Sequence, residues 1–136
     1  MLILTTNRVD DVGRWIPILY RGDGAWLGSM PSGVLGIGIE SEGRATLVDA
    51  DFVPMWPFME RPFVDVLTEL ISCREAIERN GDLAIDELLE STVLTAWRSG
   101  RKYWMDLAAR WVEEMKEESR ISKDVVIRLR SELRAM

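Results

Sequence analysis

The chain contains no histidine among its 136 residues, and this absence limits the chemistry open to it. Without imidazole there is no Ser-His-Asp or Cys-His catalytic set, and the usual imidazole-bearing zinc sites are excluded. Histidine is also the side chain best suited to proton transfer near neutral pH. Catalysis would have to rest on carboxylates, on Arg, Lys, Tyr, Ser or Thr, or on the single thiol.

Cysteine and long apolar runs are scarce as well. Cys73 is the only cysteine, so no intrachain disulfide forms, and this fits a reducing compartment. No run approaches the roughly 18 apolar residues of a membrane span. The first six residues lack the basic start and the longer apolar stretch of a signal peptide. We therefore expect a cytoplasmic protein without a membrane partner.

Glycine and proline are almost missing from the second part of the chain. Eight of the ten glycines and all five prolines lie in residues 1–62, and both residue types are disfavoured inside helices. The sequence predicts one α+β domain over residues 1–136, strand- and loop-rich over 1–61 and helical over 62–136. In it, a small antiparallel sheet from residues 1–50 packs against three or four C-terminal helices.

Strand signals are confined to the first part. Apolar residues alternate with glycines over Val34–Glu40, the period of a half-buried strand, and Asp23-Gly24 is a good hairpin turn. Pro17 places its strand at a sheet edge. The predicted elements are a strand at 2–5, a short helix at 8–14, and strands at 15–20, 25–28, 34–40 and 45–49, the last two joined by a turn at 41–44.

Helical spacing follows from Pro62 onward. Pro62 suits the first turn of a helix that continues past Ile77, and Asn80-Gly81 stops it. Asp82 caps the next helix, and Ser122 caps a last one.

Three tryptophans, Trp97, Trp104 and Trp111, stand seven residues apart. If residues 93–117 form one helix, the indoles share a face, with a drift of roughly 20° per seven residues. We interpret the row as a packing face that Ser99-Gly100 kinks or breaks. If any of it meets a partner, Trp97 and Trp104 form the exposed pair beside Arg101, and Trp111 is buried.

The segment Phe52–Met59 is apolar and aromatic, but its prolines prevent a regular helix or central strand. Two interpretations stay open. It is a lid over the core between sheet and helices, or it is an exposed surface, a dimer contact included, in which Trp56 and Phe58 anchor a partner.

The chain is acidic, with a formal net charge of −6 and a pI near 4.8. Such a surface repels phosphate, so we expect no nucleic-acid partner, and it steers a basic protein toward itself. Asp82, Asp86 and Glu90 recur at a spacing of four, with Glu87 beside them and no intervening cation. Either an external basic partner relieves their repulsion, or they form a solvated face favoured by the helix dipole.

Other motifs are weaker. The glycines from Gly33 to Gly38 lack both the third glycine of the dinucleotide fingerprint and the Lys-Ser/Thr of a P-loop, so they predict a strand against which something packs closely. Asp49 and Asp51 flank a strand end and are candidates for a metal or acid–base pair. We predict no cofactor and no resident metal.

Three hypotheses follow. The favoured one is a protein-binding module that occludes a basic, toxin-like partner. The general profile resembles small cytoplasmic inhibitors such as bacterial immunity proteins, although no specific motif carries the resemblance. Its predicted contact residues are Asp82, Asp86, Glu87, Glu90, Trp56 and Phe58. The alternatives are a self-associating structural or regulatory domain, such as a homodimer, and a carboxylate-based metal-dependent enzyme or ligand binder.

Overall fold

The computed structural model describes residues 13–79 and 83–118, together with Ile127 and Ser131. Over these residues an antiparallel sheet is followed by helices, which confirms the predicted α+β class. The elements are β1 (Ile16–Tyr20), β2 (Trp26–Ser29), β3 (Leu35–Ile39), β4 (Glu42–Thr46), a 3₁₀ helix (Val53–Glu60), α1 (Phe63–Ser72), α2 (Arg74–Glu78), α3 (Ile85–Trp97) and α4 (Lys102–Glu117). The predicted strand at 2–5, the start of the helix at 8–14, the caps at Asn80-Gly81, Asp82 and Ser122, and most of the last helix lie outside the described residues.

The strands form a meander in the order β1-β2-β3-β4, with every neighbouring pair antiparallel. Pro17 lies in the edge strand β1, as predicted, where its missing N–H removes no ladder bond from a central strand. Asp23-Gly24 forms the turn between β1 and β2, closed by a hydrogen bond of 2.9 Å from the Arg21 N–H to the Ala25 carbonyl. Gly24 supplies the positive φ of 98° that this turn requires.

The turn between β3 and β4 differs from the prediction. The four-residue turn at 41–44 is wrong, because Ile39 already pairs with Glu42 and only Glu40 and Ser41 connect the strands. The pairing shifts between Ile37 and Gly38. Ile37 pairs with Ala45 and Gly38 with Gly43, so Arg44 is an extra residue in β4 at this β-bulge. The strand predicted at 45–49 accordingly ends earlier, at Thr46.

The two faces of the sheet are built differently. One face carries the leucine and isoleucine side chains that join the main core: Leu19, Leu27, Leu35 and Ile37. On the other face, Trp15 and Met30 lie against strand glycines, and the Trp15 indole donates a hydrogen bond of 3.0 Å to the Ile39 carbonyl. A Cβ at Gly36 or Gly43 would come within 2.6 Å of the Met30 sulfur. Close packing therefore explains the glycine pattern of β3.

Helix α1 begins directly after Pro62, as predicted, and buries Phe63 and the apolar residues that follow at helical spacing. It ends at Ser72, with Cys73 as its C-cap residue, whereas the sequence predicted one helix through Ile77. The hydroxyl of Ser72 binds the Glu69 carbonyl at 2.7 Å, and the Cys73 N–H is shared between the carbonyls of residues 69 and 70. This tight end turns the chain, and Ile77 becomes buried from the separate short helix α2.

The tryptophan row is divided between two helices. Gly100 has a φ of 75° and separates α3 from α4, so the predicted break is confirmed and a single helix over 93–117 is wrong. Trp111 is fully buried, as predicted, and its ring meets Phe63 edge-on at 5.2 Å. Trp97 is only 6% exposed, so an exposed pair of Trp97 and Trp104 is wrong. Trp97 and Trp111 pack inside this chain, and Trp104 is half-buried.

Of the two interpretations of the segment Phe52–Met59, the structure has the lid over the core. The segment forms the 3₁₀ helix, which contacts both α3 and α4, and it buries Met55, Trp56, Phe58 and Met59. The Trp56 indole donates a hydrogen bond of 3.0 Å to the Thr95 hydroxyl of α3. An exposed binding surface over this segment is therefore wrong: proline prevents an α-helix, but the shorter 3₁₀ turns still direct the apolar side chains inward.

None of the helices in the described part of the chain combines the length and apolar character that a bilayer crossing requires.

Candidate functional site

The acidic residues predicted as a partner surface lie at the start of α3. Asp86 and Glu87 are exposed and Glu90 is half-buried, while Asp82 lies outside the described residues. Glu87 accepts a hydrogen bond of 3.4 Å from the Ala84 N–H, and Glu78 of α2 accepts one of 2.9 Å from the Ile85 N–H. These two carboxylates therefore satisfy N–H groups that the helix itself leaves unpaired.

The end of α4 carries a second group of acids. Four residues connect α3 to α4 and the two helices pack on each other, which is the arrangement of a helical hairpin. The hairpin returns the end of α4 toward the start of α3. We name the resulting surface the acidic end. Its residues are Asp86, Glu87, Glu90, Glu113, Glu114, Glu117 and Glu118.

The charges of α4 oppose its own dipole. Its first turn contains Lys102 and no acid, and Arg101 is its N-cap residue. Its last turns and C-cap contain four glutamates, Glu113, Glu114, Glu117 and Glu118. Two described cations stand among them, Arg110 and Lys116, and Lys116 pairs with Glu113 at 3.5 Å. Negative charge at a helix C-terminus and positive charge at its N-terminus are each unfavourable by about 0.3–1 kcal/mol at low salt. Dipole stabilisation explains the acids of α3 but not those of α4.

The aromatic residues predicted to complete this surface do not reach it. Phe58 is fully buried and Trp56 is 6% exposed, so neither presents the ring area that an interface anchor needs. Trp104 is half-buried and stacks at a tilt on Trp56, with 5.8 Å between ring centroids. The structure thus assigns Trp56 and Phe58 to the interior and leaves the predicted surface with its acidic residues alone.

Tyr103 is an exposed aromatic residue that the sequence did not single out. It is 57% exposed, and its hydroxyl donates a short hydrogen bond to the Glu60 carboxylate at the end of the 3₁₀ helix. This hydrogen bond, more than any other influence, raises the pKa of Tyr103 above its ordinary value of 10.0. Because the partners are 43 residues apart in the chain, helical spacing gives no sign of the contact.

A second surface feature that the sequence missed is an open depression at one end of the sheet. It has a volume of about 440 Å³ and is lined by Tyr20, Gly24, Trp26 and Glu40. We name it the sheet pocket. The available signal was the pair of aromatic residues on either side of the Asp23-Gly24 turn, which a hairpin places opposite one another.

The turn beside the sheet pocket is held by an arginine. The Arg21 guanidinium binds the Asp23 carboxylate at 2.8 Å and the Pro54 carbonyl at 2.6 Å. The hydrogen bond from Arg21 is the main cause that holds the pKa of Asp23 below its ordinary value. Arg21 thereby links the β1–β2 turn to the 3₁₀ helix.

The carboxylate pair considered for metal chemistry stays separate from other ligands. Asp49 and Asp51 are both exposed in the turns after β4, and Asp51 has a φ of 53°. Among residues 13–79 and 83–118 no group of three potential ligands could hold a metal ion.

Comparison of the chain with protein-family models, with curated proteins and with solved structures finds no significant match.

Proposed function

We propose that the chain is a small protein-binding module of the inhibitor type, whose acidic end docks against a basic protein partner and occludes it. The observation that carries this proposal is the charge arrangement of α4. Its glutamates lie where the helix dipole disfavours them. The neighbouring Arg110 and Lys116 relieve part of their repulsion, but these are two described cations for four acids.

A basic partner would make the electrostatic energy of these glutamates favourable instead of unfavourable. Arg and Lys side chains placed against Glu117 and Glu118 offset both the mutual repulsion of the acids and their unfavourable position at the helix end. The overall charge of −6 acts at longer range, because it steers a basic protein toward the surface before contact forms. The mechanism is occlusion: the partner's functional surface is covered, and no bond is made or broken.

Capture from a lysate of the source cells tests the proposal. The bait is the full chain, immobilised at low salt of about 50 mM and washed in parallel at about 500 mM, where screening is much stronger. The test variant is Glu117→Lys with Glu118→Lys, two exposed positions at the acidic end. The control variant is Glu42→Lys with Asp49→Lys, which changes the net charge equally but in the sheet half of the molecule.

The expected result is a protein of high pI that the unmodified chain and the control variant retain, and that the test variant and the high-salt wash release. The purified partner's activity should then fall on addition of the chain. Equal capture by the two variants would show that the acidic end is not the contact. Capture that salt does not weaken would contradict a charge-driven complex.

A further inference from the structure

The sheet pocket has the composition of a site for an organic cation. Tyr20 and Trp26 are direct partners across β1 and β2, with ring centroids 5.2 Å apart and planes tilted by 48°. The Tyr20 hydroxyl accepts a hydrogen bond of 2.9 Å from the Gly24 N–H, which fixes the outer edge of the ring. Glu40 completes the wall with a carboxylate. Two aromatic rings and one negative charge therefore surround the opening.

The space beside the rings is a consequence of the glycine pattern. Trp26 pairs with Gly38 of β3, so the position next to the indole on that face has no side chain. A Cβ at Gly38 would lie 2.2 Å from the Glu42 carbonyl oxygen, which means that the tight β3–β4 connection requires glycine there. The same backbone geometry that closes the hairpin thus leaves the depression open.

The two described arginines on the strands and turns beside the pocket are held by other groups. Arg21 is engaged by Asp23 and the Pro54 carbonyl, and Arg44 pairs with Glu42 at 3.5 Å. Within the described part of the chain, the Glu40 carboxylate makes no hydrogen bond and no ion pair. The electron-rich faces of the rings attract cations, and the carboxylate adds to that attraction. An anion would be repelled, and a neutral apolar group would gain nothing from Glu40.

We propose that the sheet pocket binds a cationic side chain, the guanidinium of arginine or the ammonium of lysine, presented by a protein partner. The cation lies against Trp26 and Tyr20 and its charge faces Glu40. The proposal rests on the proposed function only in taking the partner to be a protein. The surface lies on the sheet, away from the helical hairpin, so the two contacts are tested separately.

Titration of the full chain with small probes tests the pocket without a partner. The probes are N-acetyl-arginine amide and N-acetyl-lysine amide, and the neutral control is N-acetyl-citrulline amide, which keeps the shape of arginine without its charge. The readout is the Trp26 indole N–H signal in a ¹⁵N-correlated NMR spectrum, assigned with Trp26→Phe. Ionic strength is held constant throughout.

At least one cationic probe should shift the Trp26 signal saturably, with half-saturation in the millimolar range, while citrulline leaves it in place. Glu40→Gln and Tyr20→Leu should each weaken binding about two- to fivefold. Glu42→Gln, at the same hairpin, should leave it unchanged. The Glu117→Lys, Glu118→Lys variant should also bind the probe normally, which separates this result from the capture experiment.

The pocket assignment is overturned if neither cation produces a saturable shift, if citrulline binds equally, or if Glu40→Gln has no effect. Should Tyr20→Leu fail to fold, the comparison of arginine with citrulline on the unmodified chain still decides, because it requires no substitution.

Discussion

At the scale of single residues, the sheet face that Trp15 and Met30 cover depends on glycine, because a larger residue would not fit beneath them. A Cβ at Gly28 would lie 2.4 Å from the Ile16 carbonyl oxygen and 2.6 Å from the Trp15 ring. Neither neighbour is the free end of a flexible side chain, so one must move. We expect Gly28→Ala to lower the free energy of unfolding by about 1–3 kcal/mol, the usual range for overpacking, measured by urea denaturation.

Gly100 is the control for that substitution, because nothing lies within 4 Å of a Cβ built there and only its φ of 75° is demanding. Asparagine tolerates this left-handed conformation better than other residues with a side chain. Gly100→Asn should therefore cost clearly less than Gly28→Ala. Equal losses at the two positions would show that close contact with Trp15 is not what requires Gly28.

Tyr103 provides a prediction about pH. Its hydrogen bond to Glu60 favours the neutral phenol, so its pKa is raised in the folded chain relative to the ordinary 10.0 of an unfolded one. The folded state then holds this proton more firmly, and the associated stability is complete below pH 10 and is lost as pH rises through the folded pKa. NMR titration of the tyrosine ¹³Cζ signals should show Tyr103 ionising above its ordinary pKa.

Glu60→Gln removes the negative charge and should bring the pKa of Tyr103 back toward 10.0. Tyr103→Phe identifies the signal by removing it. A Tyr103 pKa that does not respond to Glu60→Gln would mean that the contact does not persist in solution.

At the scale of elements, we expect that rearranging the charges of α4 can increase the stability of the folded chain. Lys102 and Asp106 form an exposed pair at 2.8 Å with the cation nearer the N-terminus, the less favourable order for both the pair and the dipole. Exchanging them as Lys102→Asp with Asp106→Lys keeps the composition and reverses the order. We expect the free energy of unfolding to rise by about 0.5–1 kcal/mol.

The opposite exchange at the other end supplies the matched control. Glu113→Lys with Lys116→Glu moves negative charge toward the C-terminus of α4 and should lower stability by a few tenths of a kcal/mol. Opposite signs for the two exchanges, measured by thermal unfolding at low salt, are the expected result. Changes of the same sign would contradict the dipole argument and the pair-order argument alike.

Elements differ in how far their sequence determines them. Pro62 and Gly100 act through their own backbone restrictions, so the start of α1 and the break before α4 were predicted. The end of α1 at Ser72 has no such residue, because it depends on carbonyls already engaged one turn earlier. The 3₁₀ helix depends on tertiary packing. Its prolines predict only that the segment is neither an α-helix nor a central strand, and the burial of Trp56 against Thr95 favours the 3₁₀ conformation.

The candidate sites show the same division. The sequence predicts that the acidic residues of α3 share a helix face, because spacing along one helix is visible in sequence. It does not predict that the end of α4 lies near them, because that depends on the helical hairpin. Tyr20, Trp26 and Glu40 come together through strand register, and a tight turn that the sequence placed wrongly sets the position of Glu40. Local patterns thus predict elements, and pairing between elements creates both surfaces.

At the scale of the whole molecule, stability and the proposed binding function should oppose one another. Acids gathered at one end of the helical hairpin repel each other and the dipole of α4, which weakens the folded state. A surface selected only for stability would carry cations there. Proteins commonly retain such unfavourable arrangements at binding sites, and relieving them stabilises the chain at the expense of function.

Glu117→Lys with Glu118→Lys should therefore raise the melting temperature while it reduces capture of the basic partner. The gain should be largest at about 50 mM salt and shrink at about 500 mM, because screening already relieves the repulsion in the unmodified chain. The control, Glu42→Lys with Asp49→Lys, alters the net charge equally and breaks the Glu42–Arg44 pair, so it should neither stabilise the chain as much nor release the partner. Differential scanning fluorimetry at both salt concentrations measures the first effect, and the capture assay measures the second. A variant that loses the partner without gaining stability would show that the glutamates act in binding but impose no cost on folding, and the dipole argument would fail.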